Sequence, residues 1–341
     1  MSMPNNHRHC ALALARTVAL AACVAMPAVA AAAPPAELRF DFTGQPAPGA
    51  VPVNGNGRVP LYDAATGYGF VDQTGALPAR PVHTEGIRCG SDGCTITEPA
   101  IEAGTGNHYN HFGMAFRIKA APGAYAVKVR TTSDAADTVV SLTGMQTSRL
   151  TSPVTWDAAG LMPNQTRVTA EGRDWSYRYV NGREFIDIEI EPKKAGVAVG
   201  VAEIVLAPIA PRQRAPGTLP TLFTLGDSTV KTYTFDEAPM SGWGQVFDSL
   251  FDPARVTVLN YSMGGRSFRN AYAEGRLNDL LMAGRVGDVV MIQFGHNDES
   301  VDETQRYGRG ATEAMYEEMI RDVYLPAIRA RGMVPVFVTP M

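Results

Sequence analysis

The chain has 341 residues, 45% of them hydrophobic and 19% charged, enough apolar content for about two domains with cores of their own. Its formal net charge is −4, with 30 Lys and Arg against 34 Asp and Glu, so nothing electrostatic favours nucleic acid or an anionic membrane surface as a partner. No apolar run beyond the N-terminus is long enough to cross a bilayer as a helix, so no membrane span is expected.

In chain order, residues 1–32 read as a signal peptide. Arg8, His9 and Arg16 give a basic start, residues 17–26 are small and apolar, and residues 27–32 offer Ala-x-Ala cleavage sites. The expected location is periplasmic or secreted. Lipoprotein processing at Cys23 is the alternative, against which stands the short apolar run between Arg16 and Cys23. Cys10 and Cys23 leave with the signal, so Cys89 and Cys94 remain. They flank Gly90-Ser91-Asp92-Gly93, which suits a small disulfide loop in an oxidising compartment; two buried free thiols are the alternative. No cofactor or metal is expected. His108-Tyr109-Asn110-His111 has ligand spacing for a helix but precedes a strand and lacks a carboxylate or thiol cluster, which favours loop and core roles.

Residues 37–209 read as an all-β sandwich that could bind carbohydrate. Alternating or apolar segments recur at 38–42, 111–118, 125–130, 138–142, 185–190 and 197–206, with Ala121-Pro122-Gly123-Ala124 as a hairpin-like turn. Trp156 and Trp175 could stack on sugar rings or be buried in that module. Residues 210–219 are the expected linker, since the stretch from Pro208 to Pro220 holds four prolines and two arginines and builds neither helix nor central strand.

From 220 to 341 the pattern changes. Strands near 222–225, 256–261, 288–294 and 334–338 alternate with helical stretches, the clearest from about Thr312 to Arg331. That alternation predicts a doubly wound α/β parallel sheet, making the whole chain a multi-domain protein. Three strand ends carry chemistry. Gly226-Asp227-Ser228 puts a hydroxyl where a parallel sheet opens to its crevice, Asn260 to Gly265 ends in glycines, and Gly295-His296-Asn297-Asp298 supplies an amide. Asp227 is expected to brace the turn, because an anion beside a nucleophile opposes a developing oxyanion. Trp243, between two glycines, is either a wall of the cleft or packing beneath the serine turn.

These three blocks resemble those of GDSL/SGNH hydrolases. Thr229, Gly242-Trp243-Gly244, Gly265-Arg266-Ser267, Glu274-Gly275-Arg276 and Gln293 to Asp298 narrow the resemblance to the rhamnogalacturonan acetylesterase branch. Residues 37–209 also resemble the galactose-binding-like modules of pectin-acting enzymes, through Phe40-Asp41-Phe42 and Gly67-Tyr68-Gly69-Phe70. The resemblance implies a flavodoxin-like SGNH fold and a metal-free serine esterase that removes acetyl groups from pectin through an acyl-enzyme. Ser228 would be the nucleophile. The N–H groups of Ser228 and Gly265 and the Asn297 side chain would form the oxyanion hole, with Gly264 the alternative to Gly265.

The partner would be a polysaccharide. The family's late Asp-x-x-His, which supplies the base and its carboxylate, does not occur in these residues, and His296 occupies a variable position of its block. The expectation is a hydrolase domain incomplete at its C-terminus and inactive in this form. Other readings are a different GDSL esterase or lipase, with Tyr233, Asp236, Glu237 and Arg266 favouring a polar cleft, or a non-catalytic carbohydrate-binding surface protein.

Overall fold

Twelve strands precede the expected linker in the structure, a computed structural model that describes residues 37–54, 58–72, 84–97, 113–143, 145, 169–194, 196–300 and 309–340. The signal peptide, His108, His111 and Trp156 lie outside those residues. The strands are β1 (Leu38–Asp41), β2 (Val51–Pro52), β3 (Tyr68–Val71), β4 (Arg88–Gly90), β5 (Gly93–Thr97), β6 (Met114–Lys119), β7 (Gly123–Thr131), β8 (Thr138–Leu142), β9 (Thr169–Glu171), β10 (Asp174–Asn181), β11 (Phe185–Pro192) and β12 (Ala198–Ile209).

One sheet runs β2-β1-β12-β7-β10-β9, with the β4–β5 hairpin joined to β12; the other runs β3-β6-β11-β8. Apart from the parallel β1–β2 pair, neighbours in both sheets are antiparallel. The sheets meet through aromatic rings. Phe42, just past β1, packs edge-on against Phe116 of the other sheet, with centroids 4.8 Å apart, and against Phe70 at 6.0 Å. Gly69 is required there, because a side chain would collide with the backbone of Leu61 and Tyr62. Asp41 ties the corner after β1, accepting the Thr43 and Ala47 N–H groups at 2.8 and 2.9 Å. Cys89 and Cys94 are bonded across the β4–β5 hairpin.

Pro122-Gly123 is not a hairpin turn. It carries the chain from β6 in one sheet to β7 in the other, where Gly123 pairs with Asn181. Trp175 of β10 is buried.

After residue 210 the chain builds a parallel sheet of β13 (Thr221–Gly226), β14 (Thr257–Asn260), β15 (Val289–Gln293) and β16 (Val334–Phe337), in the order β14-β13-β15-β16. The order turns at β13, with β14 on one side and β15 on the other. Such a point opens a crevice beyond the carboxyl ends of the strands. The helices are α1 (Phe268–Ala273), α2 (Arg276–Ala283), α3 (Glu313–Glu318) and α4 (Leu325–Ala330). α3 is capped by the Thr312 hydroxyl, which accepts the Met315 N–H at 3.3 Å, and it continues through a π-helical stretch, Met319–Tyr324, into α4.

The parallel sheet packs against the end of the β7–β10 pair. Ala124 and Val180 belong to the same buried cluster as Phe223, Leu277 and Val323. Asn278 of α2 completes the edge of β10, accepting the Val180 N–H at 2.6 Å and donating to the Arg178 carbonyl at 2.8 Å. The Tyr179 and Tyr272 hydroxyls meet at 2.7 Å, both buried. Gly182 lies so close to Val323 that a Cβ would strike its carbonyl. The segment between β12 and β13 is strapped down by Arg214, which reaches the fully buried Asp288 at 2.8 Å. Asp288 also accepts the Thr221 and Arg285 N–H groups, so two peptide donors and a guanidinium offset its desolvation.

Candidate active site

Ser228 stands in the turn that follows β13, at the carboxyl end of an inner strand of the parallel sheet. The turn is tight because Asp227 closes it: its buried carboxylate accepts both the N–H and the hydroxyl of Thr229 at 2.8 Å. Gly226 cannot carry a side chain, which would run into Val230 and the Gln293 carbonyl. Ser228 itself is half-buried, at the boundary between core and solvent.

Three loops converge on this serine. The first is its own. The second leaves β14 and keeps parallel pairing beyond the strand, with Tyr261 N–H on the Thr224 carbonyl at 2.7 Å and Met263 N–H on the Gly226 carbonyl at 3.0 Å. That pairing delivers Gly264 to the serine: a Cβ built on Gly264 would lie 3.7 Å from the Ser228 Cβ and 3.8 Å from the Tyr233 hydroxyl. Gly265 follows with φ of +76°, a left-handed conformation that glycine adopts without steric cost, while a Cβ there would meet nothing within 4 Å. The demand at Gly265 is therefore conformational, and the space above it is open.

The third loop follows β15. Asn297 is buried and its amide donates to the Arg266 carbonyl at 2.9 Å, so it touches the second loop one residue past Gly265. The structure thus gathers Ser228, the Gly264–Gly265 turn and Asn297 at one end of the sheet. Asp298 reaches across to α1. It accepts the Phe268 N–H at 3.2 Å, at the first turn of α1. Burial pushes its carboxyl up to about 7, opposed by the Phe268 N–H and the Arg269 charge and assisted by the negative charge of Asp227. His296 is exposed, and it is the one histidine among the described residues.

Two residues that the sequence shows only as parts of the strand-end blocks hold this arrangement together. Gln293 donates to the Thr229 hydroxyl at 3.2 Å and accepts the Trp243 indole N–H at 2.8 Å, linking β15, the serine turn and the Gly242–Gly244 stretch. Asn260 donates to the Val230 carbonyl at 2.7 Å and accepts the Ser262 N–H at 3.0 Å, which locks the first loop to the second. A polar side chain closing an otherwise apolar strand run was the available clue for both. Trp243 donates its indole N–H to Gln293, which also holds the serine turn, and it lines a recess of about 400 Å³ with Thr229, Ser241, Gly242, Gln245 and Val246.

Two of the residues expected to make the cleft polar are engaged by other side chains. Glu237 is engaged by Lys231, which also stacks over Tyr233 at 4.5 Å, and Arg266 is turned inward onto Glu274. Phe235, Met240, Val246 and Leu250 are instead exposed. Among the described residues no cluster of His, Cys, Asp and Glu suited to a metal ion occurs.

A turn-borne serine beside a glycine turn, with a buried asparagine amide joined to the same loop, offers the groups that acyl transfer requires. The family model of the GDSL-like lipases/acylhydrolases matches residues 222–340. This part of the chain is GDSL-like. It is 39% identical over 118 residues to rhamnogalacturonan acetylesterase RhgT of Bacillus subtilis, covering 35% of this chain and 47% of the relative. Over 120 residues it is 35% identical to the Bacillus subtilis protein YesY, named a probable rhamnogalacturonan acetylesterase, covering 35% of this chain and 53% of that one.

The chain therefore spans about half the length of the curated relatives it matches. Among solved structures, a Bacillus subtilis protein is 23% identical with a TM-score of 0.34, covering 90% of this chain and 75% of that one. A family two carbohydrate esterase from Clostridium thermocellum, solved with cellohexaose, is 10% identical with a TM-score of 0.24, covering 73% and 74%.

Proposed function

We propose that this protein is an exported carbohydrate acetylesterase that acts on acetylated rhamnogalacturonan through Ser228. The observation that carries the reading is the meeting of Ser228 with the Gly264–Gly265 turn and Asn297 at one sheet end. The names of the relatives over residues 222–340 support the choice of acetyl ester and of polysaccharide. In this reading the Ser228 oxygen attacks the acetyl carbonyl and the sugar oxygen leaves with a proton. The acetyl-enzyme is then hydrolysed by water. The negative oxygen of each tetrahedral intermediate sits among the Ser228 and Gly265 N–H groups and the Asn297 amide. A base takes the serine proton and passes it to the leaving sugar oxygen. Export rests on the basic and apolar pattern of residues 1–32.

The test is Ser228→Ala in the protein as its gene encodes it. Acetate release from acetylated rhamnogalacturonan should disappear while the melting curve is kept, since a half-buried hydroxyl leaves no core cavity. Unchanged turnover would sink the assignment, and faster release from acetylated xylan would move the substrate. A second reading, a GDSL esterase for longer acyl chains, is favoured by exposed Phe235, Met240, Val246 and Leu250 in the segment that follows the serine turn. A p-nitrophenyl ester series separates the two: an optimum at acetate supports the first, and an optimum at octanoate or longer supports the second.

A further inference from the structure

We propose that Arg266, held by the buried carboxylate of Glu274, is a positioning residue that orients the Gly264–Gly265 peptide as an oxyanion donor. This rests on the reading of Ser228 as the nucleophile. Three contacts carry it. The Arg266 guanidinium donates to the Gly264 carbonyl at 2.8 Å. Its remaining arms form a two-point pair with Glu274, Nε to Oε2 at 2.9 Å and Nη2 to Oε1 at 3.0 Å. Glu274 is almost wholly buried, and it takes a second arginine, Arg276, at 3.1 Å.

The Gly264 carbonyl and the Gly265 N–H belong to one peptide unit. In a trans peptide the two point in opposite directions, so fixing the carbonyl fixes where the N–H points. A cation on the carbonyl oxygen also draws electron density from the amide and makes its N–H a stronger donor. Without such a tether the turn is poorly determined, because Gly265 sits at φ +76° with open space above it and glycine has many alternatives. The backbone of Arg266 is used as well, since its carbonyl receives the Asn297 amide at 2.9 Å. One residue thus sets both expected oxyanion donors, its side chain the Gly265 N–H and its main chain Asn297.

The contact is specific to arginine. A lysine ammonium has no planar fork and cannot pair two-point with a carboxylate while donating to a carbonyl on the far side. Glu274 at the end of α1 and Arg276 at the start of α2 surround Gly275, whose φ of +76° turns the chain between the helices. The Glu274-Gly275-Arg276 motif is therefore the anchor of the clamp.

The experiment is Arg266→Met beside Ser228→Ala, with kcat and KM measured separately on p-nitrophenyl acetate. Methionine keeps the apolar stem, and Glu274 retains Arg276 as its partner. Removing a whole oxyanion donor costs about 10²–10³ in kcat, so loosening one should cost about 10–10² with KM within twofold. Guanidinium at millimolar concentration should restore part of the kcat of Arg266→Ala and none of the activity of Ser228→Ala. Should Arg266→Met not fold, Arg266→Lys is scored by the same kcat criterion. If Ser228→Ala is inactive and the Arg266 variant keeps the parent kcat, or loses only KM, the positioning role is overturned. If Ser228→Ala stays active, the nucleophile assignment fails instead, and the two failures are told apart.

Discussion

Asn297 commits one amide hydrogen to the Arg266 carbonyl, and in the proposed site its other hydrogen is the oxyanion donor. Asn297→Ala should therefore lower kcat by about 10²–10³ with little change in KM, as for loss of one preorganised donor. Steady-state kinetics on a soluble acetyl ester checks this, and a rate within threefold of the parent would make the residue purely structural. Its neighbour Asp298 predicts a pH effect. Its carboxyl sits at about 7 in the folded chain against an ordinary 3.8. The native state therefore holds a proton that the unfolded chain has already released. The contribution of this group to stability is greatest below about pH 4 and falls as pH rises toward about 7, by at most about 1.4 kcal/mol per pH unit, then levels off. Asp298→Asn, whose amide oxygen still accepts the Phe268 N–H, should flatten that decline. Urea melts of both proteins between pH 4 and 8 measure it, and parallel slopes would show that another group titrates.

At the scale of elements, most of what the structure shows was written in period. The runs at 222–225, 288–294 and 334–338 are strands within a residue or two of their expected ends, because short, mainly apolar segments between glycine and proline leave little choice. β10 was overlooked although Trp175, Tyr177 and Tyr179 alternate with Ser176 and Arg178; aromatic strands rich in hydroxyls read as polar. The Pro122-Gly123 turn was misread because a turn's residues specify its bend but not which sheet receives the chain. The same limit applies to the site. Ser228, Gly265 and Asn297 could be picked out because each follows a strand. Gln293, Asn260 and the Arg266–Glu274 pair act through partners 8 to 64 residues away, which no local pattern encodes. Two element-level tests follow. Asp288→Ala should cost about 3–5 kcal/mol, since it strands the Arg214 charge and two peptide donors, and a loss under 1 kcal/mol in denaturant melts would contradict it. Cys89 and Cys94 should resist alkylation until reductant is added, and full labelling of native protein would refute the bond.

Across the whole molecule, the expected linker marks a change of architecture more than a break in packing. Asn278 serves as an edge partner to β10, and the two buried tyrosines share a hydrogen bond, so the sandwich and the parallel sheet stabilise each other. Asn278→Ala should cost about 1–3 kcal/mol by leaving the buried Val180 N–H unpaired, and calorimetry should still show a single transition. Two separate transitions would mean that the halves unfold independently.

The closeness of Gly182 to Val323 has a consequence for how such a chain can change over generations. Any other residue at 182 would drive its side chain into a backbone carbonyl of the opposite layer, so a compensating mutation cannot be a simple trim of a neighbour. A foreign β-sandwich grafted ahead of residue 210 would have to bring a glycine at that spot. A replacement for either half must therefore keep glycine at this point or carry its backbone away from Val323.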